Sequence, residues 1–214
     1  MVKFASYEVR DLFISMAVIT LAFSIFFRND YDGNFLFLIP ATLIGVVPGF
    51  LFHELAHKFM AIKYGFDAEF KMYMPGLFLA LASSFFGIIL AAPGAVHING
   101  DRMISDKENG KIAIVGPLTN IILAILFGVL AIILLVIGII IDPNYDNFIN
   151  SPLGYLGYIG VIGFLINSAM AAINMLPWGI FDGSKVFDWS KMIWGVIAAI
   201  AIVMAIIPII LMML

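Results

Sequence analysis

The chain has no cysteine, which excludes disulfides and thiolate ligands and leaves His, Asp and Glu to hold any metal. Histidine is almost as scarce, at 3 residues in 214. Charge is thin as well: Asp, Glu, Lys and Arg make up 12% of the chain against 63% hydrophobic residues, and mean hydropathy is +1.10. A soluble domain does not carry so much apolar side chain, whereas runs of this length suit a bilayer. The net charge of −3 says little, and nothing in it points to nucleic acid as a partner. Long polar stretches are also missing; the longest, residues 99–111, leaves no room for a second soluble domain. Residues 1–214 are expected to form one intramembrane domain, and the start of the chain, lacking a small-residue cleavage site, reads as mature sequence.

What is present is a series of apolar runs, at residues 12–27, 35–60, 77–92, 112–141, 155–175 and 193–214. They predict an α-helical polytopic membrane protein with about five to six transmembrane helices. Residues 77–92 are the exception. They are short and flanked or broken by Gly76, Gly87, Pro93 and Gly94, so the segment near 77–96 is expected to dip into the membrane as a strand or loop. In the fourth run Pro117 suits a first helical turn, leaving about 25 residues, or about 37 Å of helix. Residues 63–71 read as an interfacial segment, 142–152 as a polar loop and 178–191 as a polar-aromatic link. Pro40 and Pro48 interrupt the second run, and Pro48 cannot donate to the Ile44 carbonyl. Gly154, Gly157, Gly160 and Gly163 recur at every third position, a small-residue stripe for close helix packing.

Two of the three histidines lie at the far end of the second run, in His53-Glu54-Leu55-Ala56-His57. Positions four apart share one helix face, so both imidazoles can reach one metal, and zinc takes such a pair at about 2.0–2.1 Å per bond. Glu54 points about 100° round the helix from His53, beside the metal rather than on it, where it can take a proton from water. The plain alternative is two histidines lining a helix near a membrane surface. A carboxylate at membrane depth is expensive, however, and argues for function. A hydrolytic zinc needs three protein ligands and one open position. Asp182, Asp188 and His97 are the candidates for the third; Asp182, soon after a span ends and just before Gly183, is favoured on spacing.

Lys and Arg suggest an orientation. If residues 77–92 dip and the other runs cross, Lys3, Arg10, Lys58, Lys63, Lys71, Arg102, Lys107, Lys111, Lys185 and Lys191 share one side, and Arg28 alone lies on the other. The positive-inside rule makes the crowded side cytoplasmic. The same arrangement brings His53 and Asp182 to one face.

The set His53-Glu54-Leu55-Ala56-His57, Gly116-Pro117-Leu118-Thr119-Asn120, Asn174-Met175-Leu176-Pro177 and Phe181-Asp182-Gly183 resembles the site-2 protease family of intramembrane zinc metalloproteases. The resemblance covers most of the chain. It implies one zinc per chain held by His53, His57 and Asp182, with Glu54 as general base and Asn174 orienting substrate or stabilising the oxyanion. It also implies peptide hydrolysis in or near transmembrane segments of membrane-protein substrates, in a multi-pass protein of a prokaryotic cell membrane with its site near the cytoplasmic face. Pro93-Gly94-Ala95-Val96 looks like the membrane-inserted strand of family members. The chain departs from many relatives in having no PDZ or nucleotide-binding domain within it. Two other classes stay open from the residues alone: an integral-membrane zinc protease of the prenyl-protein type with another acid as third ligand, and a metal transporter. A transporter predicts ionisable residues spread through several spans, a pattern the apolar runs do not show.

Overall fold

The computed structural model describes residues 4–29, 34–142 and 146–213. In chain order they form α1 (Ser6–Phe26), α2 (Phe35–Lys63), β1 (Asp67–Met72), α3 (Met74–Ser84), β2 (Gly94–Asn99), α4 (Asp106–Ile141), α5 (Asp146–Ile149), α6 (Pro152–Asn174), α7 (Asp182–Trp189) and α8 (Lys191–Met213). Among the described residues α1, α2, α4 and α6 are long and apolar enough to cross a membrane; α3 is a shorter apolar helix, and α8 is apolar over Lys191–Ile207. The protein is an α-helical membrane protein. Lys3 and the link at 30–33 lie outside the described residues.

The helix starts follow from local chemistry. Asn34 caps α2 by accepting the Leu36 N–H, and Ser151 caps α6 ahead of Pro152. Ser105 and Glu108 form a reciprocal capping box at the start of α4. That box corrects one expectation: α4 does not start at Pro117 but eleven residues earlier, and Pro117 lies inside a 36-residue helix. The Ser-x-x-Glu signal outweighs the proline, which costs an intrahelical bond without ending the helix. Residues 63–71 also differ from expectation, because 67–72 form β1, and the link after residue 178 contains α7. α1 likewise begins ahead of its apolar run, drawing Glu8 and Asp11 into the buried part of the helix.

Helices α2, α4 and α6 pack closely. A Cβ at Gly160 would stand 2.9 Å from the Ala131 nitrogen, and one at Gly45 would stand 3.2 Å from Gly163 Cα. Gly157 would meet only Leu134, at 3.5 Å, so the close approach is made by the second half of the glycine stripe. On the other flank of α2, Leu12, Met16, Ile19 and Phe23 of α1 share a core with Leu38, Val46, Phe50 and Phe70.

β1 and β2 are antiparallel, with Asp67 opposite Asn99 and Met72 opposite Gly94. Residues 73–93 therefore leave and return at one place, as a dip requires. The excursion is nevertheless deep. Asp11 and Ser15 of α1 meet its base, where Asp11 accepts the Met72 N–H and Ser15 lies 3.5 Å from the Pro93 carbonyl. At its tip, Arg28 beyond the far end of α1 donates to the carbonyls of Ser84, at 3.4 Å, and Phe85, at 3.3 Å. The way out is the 11-residue helix α3, about 16 Å long. The way back is extended chain, which gains about 3.3 Å per residue and covers that height in half as many residues.

Candidate metal centre

His53 and His57 stand one turn apart on α2, both buried, with their Nδ1 atoms engaged. His53 Nδ1 is 2.6 Å from Asn120 Oδ1, and His57 Nδ1 is 2.7 Å from the Ile112 carbonyl. Both partners belong to α4. Each contact directs an Nε2 atom to the same point, where Asp182 Oδ2 lies 3.3 Å from His53 Nε2 and 3.0 Å from His57 Nε2. Asp182 reaches that point because α7 starts hard against the end of α6; a side chain at Gly183 would strike the Met175 carbonyl. Trp194 of α8 donates to that carbonyl at 2.8 Å, and Val186 and Met175 pack in the core below.

The arrangement fits zinc. Ligand atoms around a tetrahedral zinc at about 2.0–2.1 Å stand about 3.3 Å from one another, close to the separations here. The donor set of two imidazoles and one carboxylate is one that zinc accepts. Space for an ion is kept by Gly116 of α4, where a Cβ would lie 2.6 Å from His53 Nε2 and closer still to His57 Nε2. The carboxyl of Asp182 is ready to bind a cation. Burial alone would raise its pKa, but the His57 and His53 rings and Lys185 hold it well below the usual carboxylate range. Lys185 Nζ is 3.3 Å from the other oxygen, Oδ1.

Glu54 lies beside this group, 7% exposed, with its Oε2 buried and unpartnered. A carboxylate oxygen kept dry and unbonded next to a metal site is available for proton transfer. Asn174, at the end of α6, lines the same recess as His53, Glu54, His57 and Asp182, and its amide donates to the Met170 carbonyl at 3.0 Å. An apolar cavity of about 340 Å³ continues from there between α1, α2, α6 and the base of the excursion, walled by Ile19, Phe23, Phe50, Ile89 and Met170.

His97 and Asp188 do not join the group. His97 is exposed on β2 opposite Glu69, and Asp188 is exposed on α7. Among the described residues His53, His57 and Asp182 are the one cluster able to hold a metal. Sequence reasoning passed over Asn120 as a working residue, although an amide in an apolar helix was a visible signal. It also passed over Glu8, whose carboxylate takes both Lys58 Nζ, at 2.5 and 2.6 Å, and the Phe70 N–H, at 3.1 Å.

No family model and no solved structure matches the chain. A protein of Methanocaldococcus jannaschii, whose name assigns it provisionally to the zinc metalloproteases, is 38% identical over 196 residues, 91% of each chain. Likeness of that extent carries a family, and the donor set found here is the one such a family needs. The chain belongs to that protein's family of zinc metalloproteases.

Proposed function

We propose that the chain is an intramembrane protease of the site-2 protease type, hydrolysing peptide bonds in or near transmembrane segments of other membrane proteins. The observation that carries this reading is the position of the metal group: it lies at the end of an apolar helix and opens onto an apolar cavity inside the bundle. A protease for soluble substrates has no use for such surroundings.

His53, His57 and Asp182 would hold zinc, which supplies a Lewis acid for the scissile carbonyl and lowers the pKa of water towards about 7. Glu54 takes the proton of the attacking water on its unpartnered oxygen and returns it to the leaving amine. Asn174 faces the same recess and offers its remaining amide hydrogen to the carbonyl oxygen as charge develops there. A substrate helix has its carbonyls committed to its own ladder, so it must unwind before attack, and spans with weak helix formers near the cut are favoured. The sheet suits the unwound form. Glu8 and Asp11 occupy the outer edge of β1 through Phe70 and Met72, whereas the other edge of β2 has no partner strand among the described residues. An extended peptide can pair there. In the orientation that fits the charge bias, this end of the bundle faces the cytoplasm.

The test is cleavage of a model transmembrane substrate by the purified protein in liposomes. Activity is expected to vanish on chelation, to return with zinc, and to rise when Gly or Pro is placed near the cut site. Cleavage of soluble peptides with no cleavage of embedded spans would sink the intramembrane reading.

A further inference from the structure

Two asparagines lie in the middle of the bundle, Asn120 on α4 and Asn167 on α6, each 0% exposed. An amide in apolar surroundings is costly unless its groups are paired. Here the pairing runs in one direction. Asn167 Nδ2 is 3.2 Å from the Gly45 carbonyl and 2.8 Å from the Gly163 carbonyl. Carbonyls only accept, so both contacts require the nitrogen on that side, and the Asn167 oxygen is left facing Asn120. Asn120 Nδ2 meets that oxygen at 3.1 Å and the Gly49 carbonyl at 3.0 Å, again two acceptors. The Asn120 oxygen therefore faces His53 Nδ1, at 2.6 Å. An amide oxygen has no proton to give. His53 must carry its proton on Nδ1, which leaves the Nε2 lone pair for a metal.

We propose that Asn120 and Asn167 are positioning residues for the metal centre, a relay of amides that sets the tautomer and rotation of His53 before an ion arrives. Amide orientation and histidine tautomer are usually matters of choice in assigning a structure. Here three backbone carbonyls remove the choice, because flipping either amide would set oxygen against oxygen. The relay needs α2 close to α6, and a Cβ at Gly49 would stand 2.6 Å from Asn167 Oδ1. His57 has no relay; it meets the Ile112 carbonyl directly. The metal site thus becomes competent only when α2, α4 and α6 have docked.

The inference rests on the zinc centre and not on the substrate, so zinc affinity by chelator competition is the readout, and a protein that fails to cut membrane spans leaves it standing. Asn120→Leu is expected to bind zinc about 10–100-fold more weakly, the usual cost of losing a partner that orients a ligand. Asn167→Leu changes affinity in the same direction by less, because Gly49 still holds Asn120. A purely structural role would lower the thermal midpoint of the metal-free protein in both leucine variants and leave zinc affinity native; that result overturns the proposal. If Asn120→Leu does not fold, Asn167→Leu decides: weakened zinc binding supports the relay, and native binding overturns it.

Discussion

The two flanks of α2 are held by different chemistry. Towards α4 and α6 the contacts are neutral amides, backbone carbonyls and close-packed glycines, and they converge on the metal group. Towards α1 and β1 an apolar core is joined by full charges. Lys58, the residue after His57, is 2% exposed and pairs with Glu8, 1% exposed, while its ammonium sits 4.2 Å from the Phe4 ring centroid. The amide flank leaves no free volume where the glycines meet, and the charged flank borders a cavity of about 340 Å³. Directional neutral contacts fix the angles of metal ligands. A buried ion pair fixes where the sheet sits, and leaves room beside it.

Four experiments break or sharpen this contrast. The largest effect is expected at Glu54, on the boundary. Glu54→Gln keeps about one zinc per chain while substrate cleavage falls by about 10²–10⁴-fold. Loss of zinc together with activity would make Glu54 a ligand instead. On the amide flank, Asp182→Ala should weaken zinc binding by more than the ~10–100-fold typical of an outer partner, whereas His97→Ala and Asp188→Ala bind zinc normally. If His97→Ala strips the metal, the ligand set is wrong. On the charged flank, Lys58→Met leaves Glu8 buried and unpaired, at a cost of about 3–5 kcal/mol in stability. The folded fraction should still bind zinc with native affinity; a zinc defect matching that of Asp182→Ala would show that the flanks are not separate. The gentlest test uses the absence of native cysteine. Single cysteines at Asn99 and Ser184 should resist an impermeant thiol reagent until cells are broken, and cysteines at Asn34 and Asn147 should label in intact cells. Labelling of Asn99 from outside would reverse the proposed orientation.

The metal group was legible because its chemistry is written in short spacings. His53, Glu54 and His57 announce themselves by helical periodicity, and Asp182 by its place before Gly183 at the end of a span. The antiparallel return of residues 73–93 was legible in outline from its glycines and prolines. Its depth was not, since it depends on Arg28 reaching Ser84 and Phe85 across 56 and 57 positions of chain. Pro117 misled because proline and capping signals compete, and the capping box at Ser105 won. Asn120, Asn167 and Glu8 stand out in the sequence only as polar groups in apolar helices, and their roles were hidden for a common reason. Each owes its role to a partner at least 47 positions away.

The excursion of residues 73–93 is fastened to α1 at two heights: Asp11 and Ser15 hold its base, and Arg28, just beyond α1, holds its tip. Parts joined at both ends resist hinging against each other. A displacement of the excursion away from α2 and α6 would therefore carry α1 with it. α1 is itself tied to α2 at both ends, by the Glu8–Lys58 pair and by the buried 2.6 Å contact between the hydroxyls of Ser24 and Thr42. Two buried ties at opposite ends thus hold the far wall of the cavity without touching the metal group.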